Sequence, residues 1–180
     1  MKKRITILAI MTSIFGFSQE TEFKFTKDGF TDYLIIPCEG KTQNDLYKKA
    51  IDWVNVTFNN PKEVIKAQIE NDYIRIEGIG KNLFCVSDTN CSDGKYQIEI
   101  SVKDGKYKFD VISVEQFMNE IGWVKFEGLE KTSFYFKESG EPKKIVKKIV
   151  EDVPLYFNNL NKSFNDFIVN GSTTKKKNDW

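Results

Sequence analysis

The 180-residue chain is 40% hydrophobic and 14% aromatic, with 27 basic and 26 acidic side chains, which fits one domain with a substantial core. A charge balance this even offers no global attraction to nucleic acid or anionic lipid. Histidine is absent, which excludes Ser-His-Asp and Cys-His mechanisms built from this chain alone and any zinc site that needs imidazole.

Lys2, Lys3 and Arg4 precede an almost wholly apolar run over residues 5–15, closed by Gly16, Phe17 and Ser18. A positive start, a short apolar stretch and small residues at −3 and −1 form the pattern of a secretory signal peptide, with cleavage after Ser18. The run falls short of the roughly 20 apolar residues that span a bilayer. Residues 1–18 are therefore expected to be a signal peptide, and the mature protein to be exported, periplasmic or secreted, with no membrane span. Residues 19–30 are polar with isolated aromatics and read as a leader to a domain over 31–170.

Residues 33–37 form an apolar run ended by proline, a first strand. Thr42 and Asp45 have the spacing of a capping box. The helix that follows repeats Leu46, Ala50, Val54 and Phe58 on one face, with Tyr47 and Ile51 beside them, and ends at Asn59-Asn60-Pro61. Ile65, Ala67 and Ile69 alternate with polar residues; a two-residue turn at Asn71-Asp72 would set Ile69 opposite Ile74 and Ala67 opposite Ile76. Gly78 and Gly80 suggest a bulge or bend. Tyr96, Ile98, Ile100 and Val102 alternate with polar residues, and Tyr107, Phe109 and Val111 do so on the return. Asp104-Gly105 between them is a type I′ hairpin signature, pairing Val102 with Tyr107, Ile100 with Phe109 and Ile98 with Val111. Residues 117–139 form an irregular connection rich in aromatics, with a short edge strand expected over 134–137. Over residues 141–170, Val146, Ile149, Val153, Phe157, Leu160, Phe164 and Phe167 step by three or four, the stripe of a long amphipathic helix, with a kink expected at Pro154. Residues 171–180 read as a flexible polar tail.

This order of elements predicts an α+β fold: an antiparallel sheet of about five strands, β-α-β-β-β-β-α, with two helices packed on one face. Three segments carry a resemblance to a known family. They are Leu46-Tyr47-Lys48-Lys49-Ala50-Ile51-Asp52-Trp53, Ile76-Glu77-Gly78-Ile79-Gly80, and Tyr96-Gln97-Ile98-Glu99-Ile100-Ser101-Val102-Lys103-Asp104-Gly105-Lys106-Tyr107. Residues 34–114 resemble a domain family of unknown function with a TBP-like fold, found in exported bacterial proteins. The resemblance implies a TBP-like arrangement and brings no activity with it.

The candidate acids for chemistry are Asp32, Asp52, Glu77, Glu99 and Asp110; Glu99 and Asp110 alternate outward from the apolar face of the hairpin. Cys85 and Cys91 flank a polar loop and could form a disulfide across its base, leaving Cys38 as the odd thiol; pairing of Cys38 with either is the alternative. Asp88, Asn90, Asp93 and Gly94 do not match a calcium-loop spacing, so neither a metal nor a cofactor is expected. Lys143, Lys144, Lys147 and Lys148 are balanced by nearby acids and read as a solvated helix face, so no nucleic-acid partner is expected; fold alone does not supply one. Trp53 reads as a packing anchor. The aromatic excess of the connection makes Trp123, Phe126, Phe134 and Phe136 the candidate ligand-binding residues. The expected function is a non-catalytic exported domain that binds a protein, peptide or small apolar ligand; the alternative is a carboxylate-dependent hydrolase or other periplasmic enzyme.

Overall fold

A computed structural model describes residues 20–171. The signal peptide expected over 1–18 and the tail from 172 onward lie outside the described residues.

In chain order the elements are β1 (Phe25–Thr26), β2 (Gly29–Phe30), β3 (Tyr33–Pro37), α1 (Gln43–Thr57), α2 (Pro61–Val64), β4 (Ile65–Ile69), β5 (Tyr73–Cys85), β6 (Cys91–Lys103), β7 (Lys106–Met118), β8 (Gly122–Lys125) and α3 (Lys147–Asn170). Short 3-10 turns cover Glu127–Leu129 and Lys144–Val146. One six-stranded antiparallel sheet has the order β3-β7-β6-β5-β4, and β8 pairs with the far end of β7. The meander β4 to β7 is as the alternation predicts. The sixth strand and the separate β1–β2 ladder go beyond the five expected.

The hairpin of β6 and β7 has the expected register: Val102 faces Tyr107, Ile100 faces Phe109 and Ile98 faces Val111. All six are buried on the face that α1 and α3 cover. Its turn is not type I′. Gly105 alone enters the left-handed region (φ 74°), whereas type I′ needs both central residues there. The loop before α1 holds the turn: the Cys38 N–H donates to the Gly105 carbonyl and the Gly105 N–H to the Lys41 carbonyl. The Asp104 carboxylate accepts the Gln43 N–H, at the first turn of α1.

The β4–β5 register also differs from expectation. Ile69 faces Tyr73, Gln68 faces Ile74 and Ala67 faces Arg75. The turn spans three residues, with Asn71 left-handed at φ 60°, and a register shift between Ile65 and Ala67 sets Ile65, not Ala67, opposite Ile76. Ile69 is left exposed on this edge strand.

The capping box of α1 is present, with Thr42 and Asp45 each bonding the other's backbone N–H. Thr42 side-chain and backbone donors hold the Asp45 carboxyl below the usual carboxylate range. Trp53 is fully buried, its indole N–H donating to Ser163 on α3, its ring against Phe58 and Phe164. α3 begins at Lys147, later than the 141 expected. Pro142 pairs in an isolated bridge with Phe136, and a residue ahead of proline avoids helical backbone. That bridge replaces the edge strand expected over 134–137. The helix then continues through Pro154, which is buried.

Residues 23–30 are not a detached leader. Phe23, Phe25 and Phe30 are buried in the core, Phe23 packing on Phe109 and Phe157. Asn158 of α3 clamps the Phe23 backbone at both N–H and carbonyl. Gly78 and Gly80 also mark close approaches: a side chain at Gly78 would run into the Tyr96 ring and one at Gly80 into the Tyr156 ring, which meet edge to face beneath the sheet. The irregularity expected here is present and begins at Gly80, the register shifting between Gly80 and Phe84.

Candidate functional site

The open face of the sheet, opposite the helices, is a lattice of matched charges. Arg75 holds Glu99 at 2.7 Å, Lys108 holds Asp110 at 2.7 Å, Lys95 holds Glu115 at 2.6 Å and Lys66 holds Glu77 at 3.2 Å. Glu77 also accepts from the Gln97 amide. Burial alone would raise the Glu77 carboxyl, but the Gln97 and Lys66 donors outweigh it and hold the group below the usual carboxylate range. The acids singled out for chemistry, Glu77, Glu99 and Asp110, thus each face a cation or an amide on the sheet rather than converging in a cleft. Glu99 and Asp110 are cross-strand neighbours, a repulsive pairing that Arg75 and Lys108 relieve.

At the end of the sheet where β5 meets β6 and β7 meets β8, polarity gives way. Phe117 and Trp123 sit opposite each other, ring centroids 5.3 Å apart, and the Lys95 ammonium lies 5.3 Å from the Trp123 ring. Phe117 is 40% exposed, Trp123 38%, Met118 38% and Ile121 73%. Beside them lies a cleft of about 550 Å³ walled by Phe84, Val86, Ser92, Gln116, Phe117 and Met118. Its far wall is the loop between β5 and β6, closed at its base by a Cys85–Cys91 disulfide; Cys38 is a free, buried thiol. The Val86 N–H donates to the Asn90 carbonyl across this loop. Behind it Asp93 accepts from Lys81 and from the Asn82 N–H, which together hold its carboxyl below the usual range. Asp88, nearly fully exposed, pairs with Lys148 of α3. Among the described residues no group of acidic or sulfur side chains is arranged to hold a metal ion.

The four candidate ligand-binding residues fall into two environments. Phe126 and Phe136 are 3% and 7% exposed and pack on Phe25, so they belong to the core. Trp123 and Phe134 are exposed, but Phe134 rests on Tyr135, away from the cleft, and Trp123 alone joins the apolar end. The sequence reading did not single out Phe117, Met118 or Val86. Phe117 and Trp123 flank Asn119-Glu120-Ile121, a three-residue turn with Glu120 at φ 70° and Gly122 after it at φ 92°; the Asn and Gly were the available signal for a hairpin. Of the basic cluster only Lys147 and Lys148 lie on α3, paired with Glu151 and Asp152; Lys144 belongs to the 3-10 turn before it, and Lys143 has extended backbone and donates to the Ser133 carbonyl.

Residues 33–116 match the family described as a domain of unknown function (DUF4468) with TBP-like fold. Two solved structures are similar over most of their length. One is a DUF4468 family protein from Bacteroides ovatus, 13% identical, with a TM-score of 0.64 over 78% of this chain and 86% of that one. The other is a TBP-like protein from Parabacteroides distasonis, also 13% identical, with a TM-score of 0.57 over 77% of this chain and 91% of that one. No curated protein matches the chain. The fold is TBP-like, as the resemblance implied. Among the described residues no helix is long and apolar enough to cross a membrane.

Proposed function

We propose that this TBP-like domain is an exported, non-catalytic binding module that takes an apolar segment of a protein or peptide at the Phe117–Trp123 end of its sheet. One observation carries the reading. The open face is mostly polar, with Tyr33, Ile79 and Ile112 exposed singly, yet at this end four large apolar side chains stay exposed together beside a cleft of protein-ligand size. Packing within the domain gives Phe117, Met118, Ile121 and Trp123 too little cover to explain them, whereas aromatic and Met side chains are what interfaces favour. Export is supported by the Lys2–Arg4 and apolar 5–15 pattern and suits a Cys85–Cys91 disulfide.

The test is capture from an extracytoplasmic extract of the native host by the wild-type domain and by Phe117→Ser with Trp123→Ser. Both side chains are exposed enough that the double variant keeps its melting temperature within a few degrees. Loss of a specifically captured partner in that variant is the expected outcome. Equal capture by both proteins, or none by the wild type, contradicts the proposal.

A further inference from the structure

We infer that a second site, at the opposite end of the open face, binds a small anion bearing a carboxylate or phosphate group between Lys103 and Lys106. These two lysines are directly opposed across the β6–β7 hairpin next to its turn. Like charges facing each other across a ladder repel. Other basic side chains on this face each have an acidic partner: Lys66 with Glu77, Arg75 with Glu99, Lys81 with Asp93, Lys95 with Glu115, Lys108 with Asp110. Lys103 and Lys106 are the exception, making no ion pair among the described residues.

The nearest acid on the turn is already engaged, since Asp104 turns its carboxylate onto the Gln43 N–H at 2.8 Å. The two lysines also line a hollow. A cavity of about 340 Å³ opens here, lined by Lys103, Lys106 and Lys108, by Ile35 and Ser101, and by Asp72 as its acidic member. Three cations against one carboxylate leave the lining net positive. Lys108 is held by Asp110 and lies over the Tyr33 ring, so two ammonium groups remain to meet a guest. Ammonium groups bind carboxylate and phosphate oxygens by charge-assisted hydrogen bonds, and the Ile35 side chain gives a short carbon skeleton something to rest on. The volume admits a molecule the size of a small dicarboxylate rather than a polymer.

The site lies far from Phe117 and Trp123, and neither proposal depends on the other. The test titrates the full mature chain with sodium phosphate and, separately, with sodium succinate at constant ionic strength, following backbone amide chemical shifts. Saturable shifts centred on Ser101, Lys103 and Lys106 are expected from one or both anions, and their relative affinity identifies the favoured headgroup. In Lys103→Gln with Lys106→Gln the affinity falls by about tenfold or more, because both charge-assisted contacts are lost. In Lys62→Gln, a lysine of α2, it is unchanged. A second reading guards against misfolding. Without anion the double variant melts no lower than wild type, since a repulsive pair has been removed, and the anion raises the melting temperature of wild type only. Absence of saturable shifts with both anions, or equal affinity in the double variant, overturns the proposal.

Discussion

Tyr107 carries its hydroxyl into the core and donates it to Asn161 Oδ1 at 2.8 Å, the buried polar residue of α3. Burial pushes the Tyr107 phenol far above its ordinary range, so it stays a neutral donor throughout the physiological span. In Tyr107→Phe the ring still fills its place against Phe164, but Asn161 keeps an acceptor with no donor. The expected loss is about 1–3 kcal/mol, measured by urea unfolding; an unchanged midpoint would mean that Asn161 finds another donor. Asp93 poses an electrostatic question instead. Lys81 and the Asn82 N–H depress its folded carboxyl relative to the unfolded chain. A depressed acid stabilises above the unfolded carboxylate range and loses that contribution as pH falls through the folded value. Asp93→Asn is therefore expected to melt lower than wild type near pH 7, with the gap closing in acid. Melting curves across that range check it, and a gap independent of pH would contradict it.

The elements that side-chain period specifies were legible, whereas turn geometry and the elements set by tertiary contacts were not. The β6–β7 hairpin has strict alternation on both arms, so a one-residue slip would expose Ile98, Ile100 and Phe109 together, and only one register survives. The capping box of α1 and the stripe of α3 are equally local signals. The β4–β5 register was missed because Asn71 adopts a left-handed backbone and lengthens the turn by one residue. β1 and β2 escaped because two residues each leave no period to read; Phe23, Phe25 and Phe30 look like scattered aromatics until α3 lies beside them. Of the candidate site, Trp123 was legible and Phe117 was not, because β8 is too short to announce itself beside β7. Gly78 gives a sharp test at this scale. Glycine inside a strand is normally a weakness that alanine repairs. Here an added methyl would overlap the buried Tyr96 phenol, itself wedged against Tyr156 and Phe157. Gly78→Ala is expected to destabilise by roughly 1–3 kcal/mol as overpacking, read from denaturant midpoints; a gain in stability would show that Tyr96 can retreat.

At the scale of the molecule, one helical layer and the N-terminal ladder close one face of the sheet, while the other stays open with a charge-matched middle and two unlike ends. The matched family segment, residues 33–116, leaves out β1, β2, β8 and α3, yet Phe23 reaches both Phe109 in the sheet and Phe157 in α3. Burying one such side chain contributes roughly 1.5–3 kcal/mol, so a chain beginning at Asp32 loses three of them at once. It is expected to lack a cooperative melting transition by circular dichroism, and a native-like transition would show that the ladder is dispensable.

The aromatic stretch from Phe117 to Phe136 divides into a half that holds the domain together and a half that faces outward, and the proposed function rests on the outward half. Hydrogen exchange of the domain, alone and saturated with its captured partner, tests this most directly. The account predicts new protection confined to residues 115–125 and 84–93. Protection spread over the helical layer, or confined to β3 and β4, with the Phe117–Trp123 end exchanging as it does in the free domain, would contradict it.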